Sequence, residues 1–115
     1  MAGRLLTVAE TLPFLRQAAA VWNEQERAAF INFIAANPES GDLIAESGGL
    51  RKVRWGRQGS GKRGGVRVIY FYHDDEMPLY LLMIYAKSRS ENLTPDDRKR
   101  VQAVVAALKQ AHGRR

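Results

Sequence analysis

The chain has 115 residues, 45% of them hydrophobic, and 18 Lys and Arg against 12 Asp and Glu, a formal net charge of +6. That size fits one domain, spanning residues 1–115, with a core of its own. Apolar runs fall short of the roughly 18 residues that a membrane helix needs. The first segment, MAGRLLTVAETLPFLRQ, lacks the apolar stretch of a secretory signal. With no cysteine, disulfide scaffolds and Cys-ligated zinc are excluded. Two histidines, His73 and His112, do not make a His-rich metal site. A cytoplasmic domain is expected, without a membrane partner, a metal or a cofactor.

Charge is unevenly spread. Residues 1–47 carry three basic and six acidic side chains, and residues 48–115 carry fifteen and six. A pI near 10.1 with clustered Lys and Arg is the footprint of a nucleic-acid binder. A solvated basic surface is the plainer alternative.

In chain order, Arg4–Val8 reads as a short edge strand. Thr11 is placed as a helix N-cap with Pro13 in the first turn, followed by Leu12, Leu15, Ala19 and Trp22 at helical spacing. Asn23 restarts the pattern, and Glu26 three residues on completes a capping box. Phe30, Phe33 and Ile34 give the next apolar stripe, and Asn37-Pro38 ends it. Residues 11–37 therefore read as a helical hairpin or one broken helix. Residues 38–49 are turn-rich.

From Leu50 the period changes to two. LRKVRWGR (50–57), VRVIYFY (66–72) and LYLLMIYAK (79–87) are strand segments, the last two rich in β-branched and aromatic residues. Short connections between them predict an antiparallel meander. Thr94-Pro95-Asp96-Asp97 is a helix start, and Val101, Val104, Val105 and Leu108 follow at helical spacing. The fold class is α+β: an antiparallel sheet of about four strands, two N-terminal helices and one C-terminal helix.

Between Gly48 and His73 there is no acid. Arg51, Lys52, Arg54, Arg57, Lys62, Arg63 and Arg67 lie there with seven glycines interleaved. Glycine lets backbone approach a phosphate closely, and the cations neutralise it. Strand alternation puts Lys52 and Arg54 on one face and Val53 and Trp55 on the other. Arg67 is a charge among aliphatics in a strand expected to be central. It needs either an acidic neighbour or an anionic ligand. Tyr85 and Lys87 share a face at the end of the last strand. Nucleophile-elbow and phosphate-loop motifs are absent, and His73 with Asp74, Asp75 and Glu76 reads as a solvated turn.

GGLRKVRW (48–55), GKRGGVRVIYFY (61–72), IYAKS (84–88) and LTPD (93–96), with AANPESGDLI (35–44) upstream, together resemble the HigB-like branch of the RelE/ParE toxin superfamily. The resemblance runs from about residue 5 to residue 108. It implies a RelE-like fold and the toxin of a type II toxin–antitoxin system. The implied activity is a metal-independent endoribonuclease that cuts mRNA on the 70S ribosome by attack of a ribose 2′-OH on the adjacent phosphate, inhibiting translation. It carries catalytic roles to Lys52, Arg54, Arg67 and Lys87; beside these, Tyr85 is expected to stack on a base or share the proton work, and Arg51, Arg57, Lys62 and Arg63 are expected RNA contacts. It implies a cognate antitoxin with a helix-turn-helix domain, HigA-like, through which alone operator DNA is bound. Two positions depart from the best-studied RelE pattern. Ser88 stands where that branch has an arginine, and no tyrosine follows Tyr85. The general base stays open on this reading. A ParE-like inhibitor of DNA gyrase and a non-catalytic RNA-binding module are the alternatives.

Overall fold

The computed structural model describes residues 6–56, 65–86 and 93–113. Its elements are β1 (Val8–Glu10), α1 (Leu12–Ala18), α2 (Glu24–Ala36), β2 (Asp42–Leu43), β3 (Leu50–Trp55), β4 (Val66–Phe71), β5 (Leu79–Ala86) and α3 (Pro95–Gly113). The strands form one sheet in the order β1-β5-β4-β3-β2. The expected meander is present, with β3, β4 and β5 antiparallel. The sheet is nevertheless five-stranded and mixed. The N-terminal edge strand lies at Val8–Glu10, later than the expected Arg4–Val8, and runs parallel to β5. A second short strand, β2, sits inside the turn-rich segment and pairs with Arg51 and Lys52. Two or three residues of pairing leave too little periodicity to be read from sequence.

The α1–α2 hairpin forms for local reasons. Thr11 caps α1 and its hydroxyl donates to the carbonyl of Leu81, tying the helix start to β5. Asn23 and Glu26 close the expected capping box at 2.8 and 2.9 Å. Arg27 bridges Glu10 of β1 and Glu24, locking the edge strand to α2. The hairpin packs Phe14, Ala18, Trp22, Phe30 and Ile34 against Val53, Val66, Val68, Tyr70, Leu79, Leu81 and Ile84. The buried stripe of α1 is Phe14 and Ala18, four residues apart. Leu12 and Leu15, expected inward, are exposed. The face of so short a helix is fixed by its capped entry rather than by its own apolar pattern.

The opposite face of the sheet carries Leu50, Ile69, Phe71, Leu82, Met83 and Tyr85, with Val101 and Val105 of α3 packed on it. Pairing of β4 with β5 slips between Ile69 and Tyr70: Ile69 faces Met83, yet Tyr70 faces Leu81. Leu82 is the extra residue of a bulge, so Leu82 and Met83 both serve the α3 side. The N-terminus of α3 is capped by Thr94, whose hydroxyl accepts from Asp97 N–H at 3.1 Å. Arg98 and Gln102 donate to the carbonyls of Ala45 and Glu46, pinning α3 to the loop before β3. In that loop Gly49 has φ +116°, and a Cβ there would stand 2.9 Å from the Phe71 ring.

Tyr70 is fully buried at the centre of the hairpin-side core. Its hydroxyl accepts from Gly41 N–H at 2.9 Å and donates to Pro38 C=O at 2.8 Å. Tyr70→Phe removes both bonds and strands a buried N–H. The expected loss in a urea unfolding titration is about 1–3 kcal/mol. Unchanged stability would contradict this role.

Candidate active site

In a sheet, directly opposed residues lie on one face. Arg54 of β3 opposes Arg67 of β4, and Arg67 opposes Tyr85 of β5. One step along, Lys52 opposes Ile69 and Ile69 opposes Met83. Four of the nine sequence-derived site residues (Lys52, Arg54, Arg67 and Tyr85) are thus gathered on the α3 side of three adjacent strands. Arg51 is on the other face. Its guanidinium donates to the Gly41 carbonyl at 2.7 Å and the Glu39 carbonyl at 3.2 Å, bracing the loop that also holds Tyr70. Lys87, Arg57, Lys62 and Arg63, together with Ser88, lie outside the described residues.

The electrostatics of this patch turn on Arg67, which is only 6% exposed. Among the described residues its Nη1 is enclosed with no hydrogen-bond partner. No described carboxylate forms an ion pair with it: the described pairs involve Arg27, Arg51, His73 and Arg100. Its cross-strand neighbour is a second guanidinium, that of the exposed Arg54. Like charges directly opposed destabilise a sheet, and a buried cation without a counter-charge costs several kcal/mol in general. Arg54 and Arg67 are therefore a candidate anion site, one side chain buried and the other exposed.

Asp74 and Asp75, in the turn between β4 and β5, are engaged locally. Asp75 accepts from the Tyr72 hydroxyl at 2.7 Å, and this bond pushes the Tyr72 phenol up to about 12. Asp74 accepts from Glu76 and Met77 N–H, closing the expected turn. His73 is half exposed and stacks on Phe71.

Beside the patch, where β1 no longer covers the outer edge of β5, lies a cavity of about 640 Å³. Its lining includes Tyr85, Met83 and Ala86 from β5, Arg16 and Gln17 from α1, and Thr94 and Asp97 from the start of α3. Gln17 Oε1 accepts from Ile84 N–H at 3.0 Å, so α1 satisfies the strand edge there. The sequence reading did not single out Arg16, Gln17 or Asp97 as site residues. Asp97 reads only as a first-turn acid, and Arg16 lies in the acidic half of the chain, far from the cationic run.

The sheet and helices are matched by the solved structure of an Escherichia coli toxin RelE double arginine-to-alanine mutant in the free state. The TM-score is 0.55 and the identity 13%, covering 76% of this chain and 90% of that one. Identity that low speaks for the fold alone. A family model described as the RelE toxin of the RelE/RelB toxin–antitoxin system matches residues 16–114. The match takes in the end of α1, all of α2, the whole meander with its buried Arg67, and α3. The chain belongs to the RelE toxin family.

Proposed function

We propose that this toxin is an endoribonuclease that cuts mRNA on the ribosome, with the Arg54–Arg67–Tyr85 row as the centre of its active face. The observation that carries this reading is the buried Arg67 guanidinium without a described counter-ion, which suits a scissile phosphate. In the reaction the ribose 2′-oxygen bonds to phosphorus, the bond from phosphorus to the 5′-oxygen breaks, and a cyclic phosphate and a 5′-hydroxyl result. A base must take the 2′-proton and an acid must protonate the leaving oxygen. Negative charge grows on the phosphorane between these events. Arg67, fixed by the strands on either side of it, is positioned to stabilise that charge without reorganising. Arg54 and Lys52 position the flanking phosphates. Tyr85 lies one strand from Arg67, where its ring stacks on a base or its hydroxyl shares the proton work. Lys87, one residue beyond β5, is assigned proton transfer or charge stabilisation, since an ammonium crowded by cations gives up its proton more readily. The partner that silences this activity is the antitoxin, here proposed to be HigA-like with a helix-turn-helix domain.

Arg67→Ala is expected to abolish growth arrest and mRNA cleavage, read by mapping mRNA ends after incubation with translating ribosomes. The variant should stay folded, because it removes a buried charge that nothing described offsets. Unfolding of Arg67→Ala, or normal cleavage by it, would assign Arg67 to structure. Wild-type protein that leaves mRNA uncut on translating ribosomes would remove the nuclease reading itself.

Lys62 and Arg63, flanked by glycines in the sequence, are assigned to gripping the RNA backbone. Changing both to Ala is expected to weaken ribosome affinity and lower its salt slope by about one per lost phosphate contact. Single-turnover cleavage at saturating ribosome should hardly change. Lys87→Ala should bind normally and cut roughly a hundredfold more slowly. The reverse pattern would overturn this division between loop and strand end.

A further inference from the structure

The phosphate row does not account for the cavity at the outer edge of β5, whose chemistry is different. Its rim carries one carboxylate, Asp97, which is half-buried with a side chain 32% exposed. A carboxylate beside a phosphate is repelled, so the cavity is a poor place for RNA backbone. It suits an uncharged group that donates hydrogen bonds. The same cavity presents donors from its α1 wall. Arg16 forms no ion pair among the described residues, and the Gln17 amide nitrogen is left over once Oε1 has taken Ile84 N–H. Met83, Ala86, Ala20 and Val21 supply apolar lining. Tyr85 lines the cavity and also opposes Arg67, so cavity and phosphate row share a side chain. The volume of about 640 Å³ lies within the range of small-ligand sites.

We propose that this cavity is a nucleobase pocket that takes the base of a nucleotide adjacent to the phosphate held at Arg67. Asp97 accepts from an exocyclic amine, and Arg16 and Gln17 donate to ring or carbonyl acceptors. The proposal rests on the reading of the Arg54–Arg67–Tyr85 row as an RNA site. RNA readers bind unstacked bases along their hydrogen-bonding edges in this way. The pocket selects by its carboxylate. Adenine, cytosine and guanine each present an exocyclic amino group, whereas uracil presents carbonyl oxygens at the corresponding positions, which a carboxylate repels, and offers only its N3–H between them. The pocket therefore favours an amino-bearing base over uracil. Arg100 pairs with Asp97 at 3.9 Å and is itself largely exposed, so it does not enclose the carboxylate.

The test titrates the four nucleoside 5′-monophosphates into isotope-labelled full-length protein and follows backbone amide signals by NMR. Residues Ala86, Thr94 and Asp97 report the pocket. AMP, CMP and GMP are expected to shift these signals and to bind about tenfold more tightly than UMP, the lower end for one good base contact. Asp97→Asn, which can donate to the uracil carbonyls, should erase that difference while keeping the shifts near Arg67. Arg16→Gln, on an exposed helix position, should weaken binding of all the bases that enter. Equal binding of all four nucleotides, or pocket signals that stay still while those near Arg67 move, would overturn the proposal. If no nucleotide moves any of these signals, both the pocket and the phosphate row are refuted. Discrimination against UMP by a protein that fails to cut mRNA would uphold the pocket and refute only the nuclease reading.

Discussion

A guanidinium sealed inside a sheet without a described counter-charge is the constraint around which this molecule is arranged. Arg67 sits on β4, the central strand, whose six residues are all buried. Water cannot solvate its Nη1, and no carboxylate on the described elements reaches it. Such a group opposes folding, so the rest of the core must offset it. The two clusters flanking the sheet do so. Phe14, Phe30, Ile34 and Tyr70 on one side and Leu50, Ile69 and Phe71 on the other are all essentially inaccessible to water. At about 1.5–3 kcal/mol for each large apolar side chain, such a core tolerates one uncompensated charge.

The same architecture decides where the charge is available. The α1–α2 hairpin packs on one face of the sheet, and α3 covers the other through Val101, Val105 and Leu108. The bulge at Leu82 gives β5 two consecutive residues on the α3 side, which anchors α3 over the middle of the strand. Arg54 and Tyr85 then flank Arg67 at the end of the sheet where β4 begins and β3 and β5 finish. A rigid three-strand support places two guanidiniums side by side, an arrangement that free side chains on a loop would avoid by moving apart.

Much of this was legible in the residues. Alternation over residues 52–55 set Lys52 and Arg54 against Val53 and Trp55, and the apolar runs of β4 and β5 marked the centre of the sheet. Local capping chemistry at Thr11, at Asn23 with Glu26, and at Thr94 located three helix starts. What escaped depends on contacts distant in sequence. The N-terminal edge strand, read at Arg4–Val8, pairs with β5 later, at Val8–Glu10, and β2 is held by two pairings with β3 that nothing in DL announces. The inward face of α1 follows from the tie between Thr11 and Leu81, seventy residues apart. Of the site, Lys52, Arg54, Arg67 and Tyr85 came from charge and alternation. Arg51 carried the same charge signal, but its parity put it on the hairpin side, where it braces the 38–41 loop. Arg16, Gln17 and Asp97 meet only because α1 and α3 converge on the free edge of β5.

The central proposal is that the buried Arg67 guanidinium, whose Nη1 has no partner among the described residues, takes a nucleic-acid phosphate, and thermal unfolding with and without a non-cleavable ligand tests it most directly. The ligand is a short single-stranded RNA with 2′-O-methyl riboses, which cannot supply the attacking hydroxyl. Ligand that binds only the native state raises the melting temperature by mass action. Wild-type protein is predicted to gain stability from this RNA. Arg67→Met, a similar volume without charge, is predicted to match or exceed the wild-type melting temperature alone and to gain little from the RNA. A variant that melts well below wild type without ligand, yet gains as much from the RNA, would contradict the account. Arg67 would then be a structural residue satisfied within the fold.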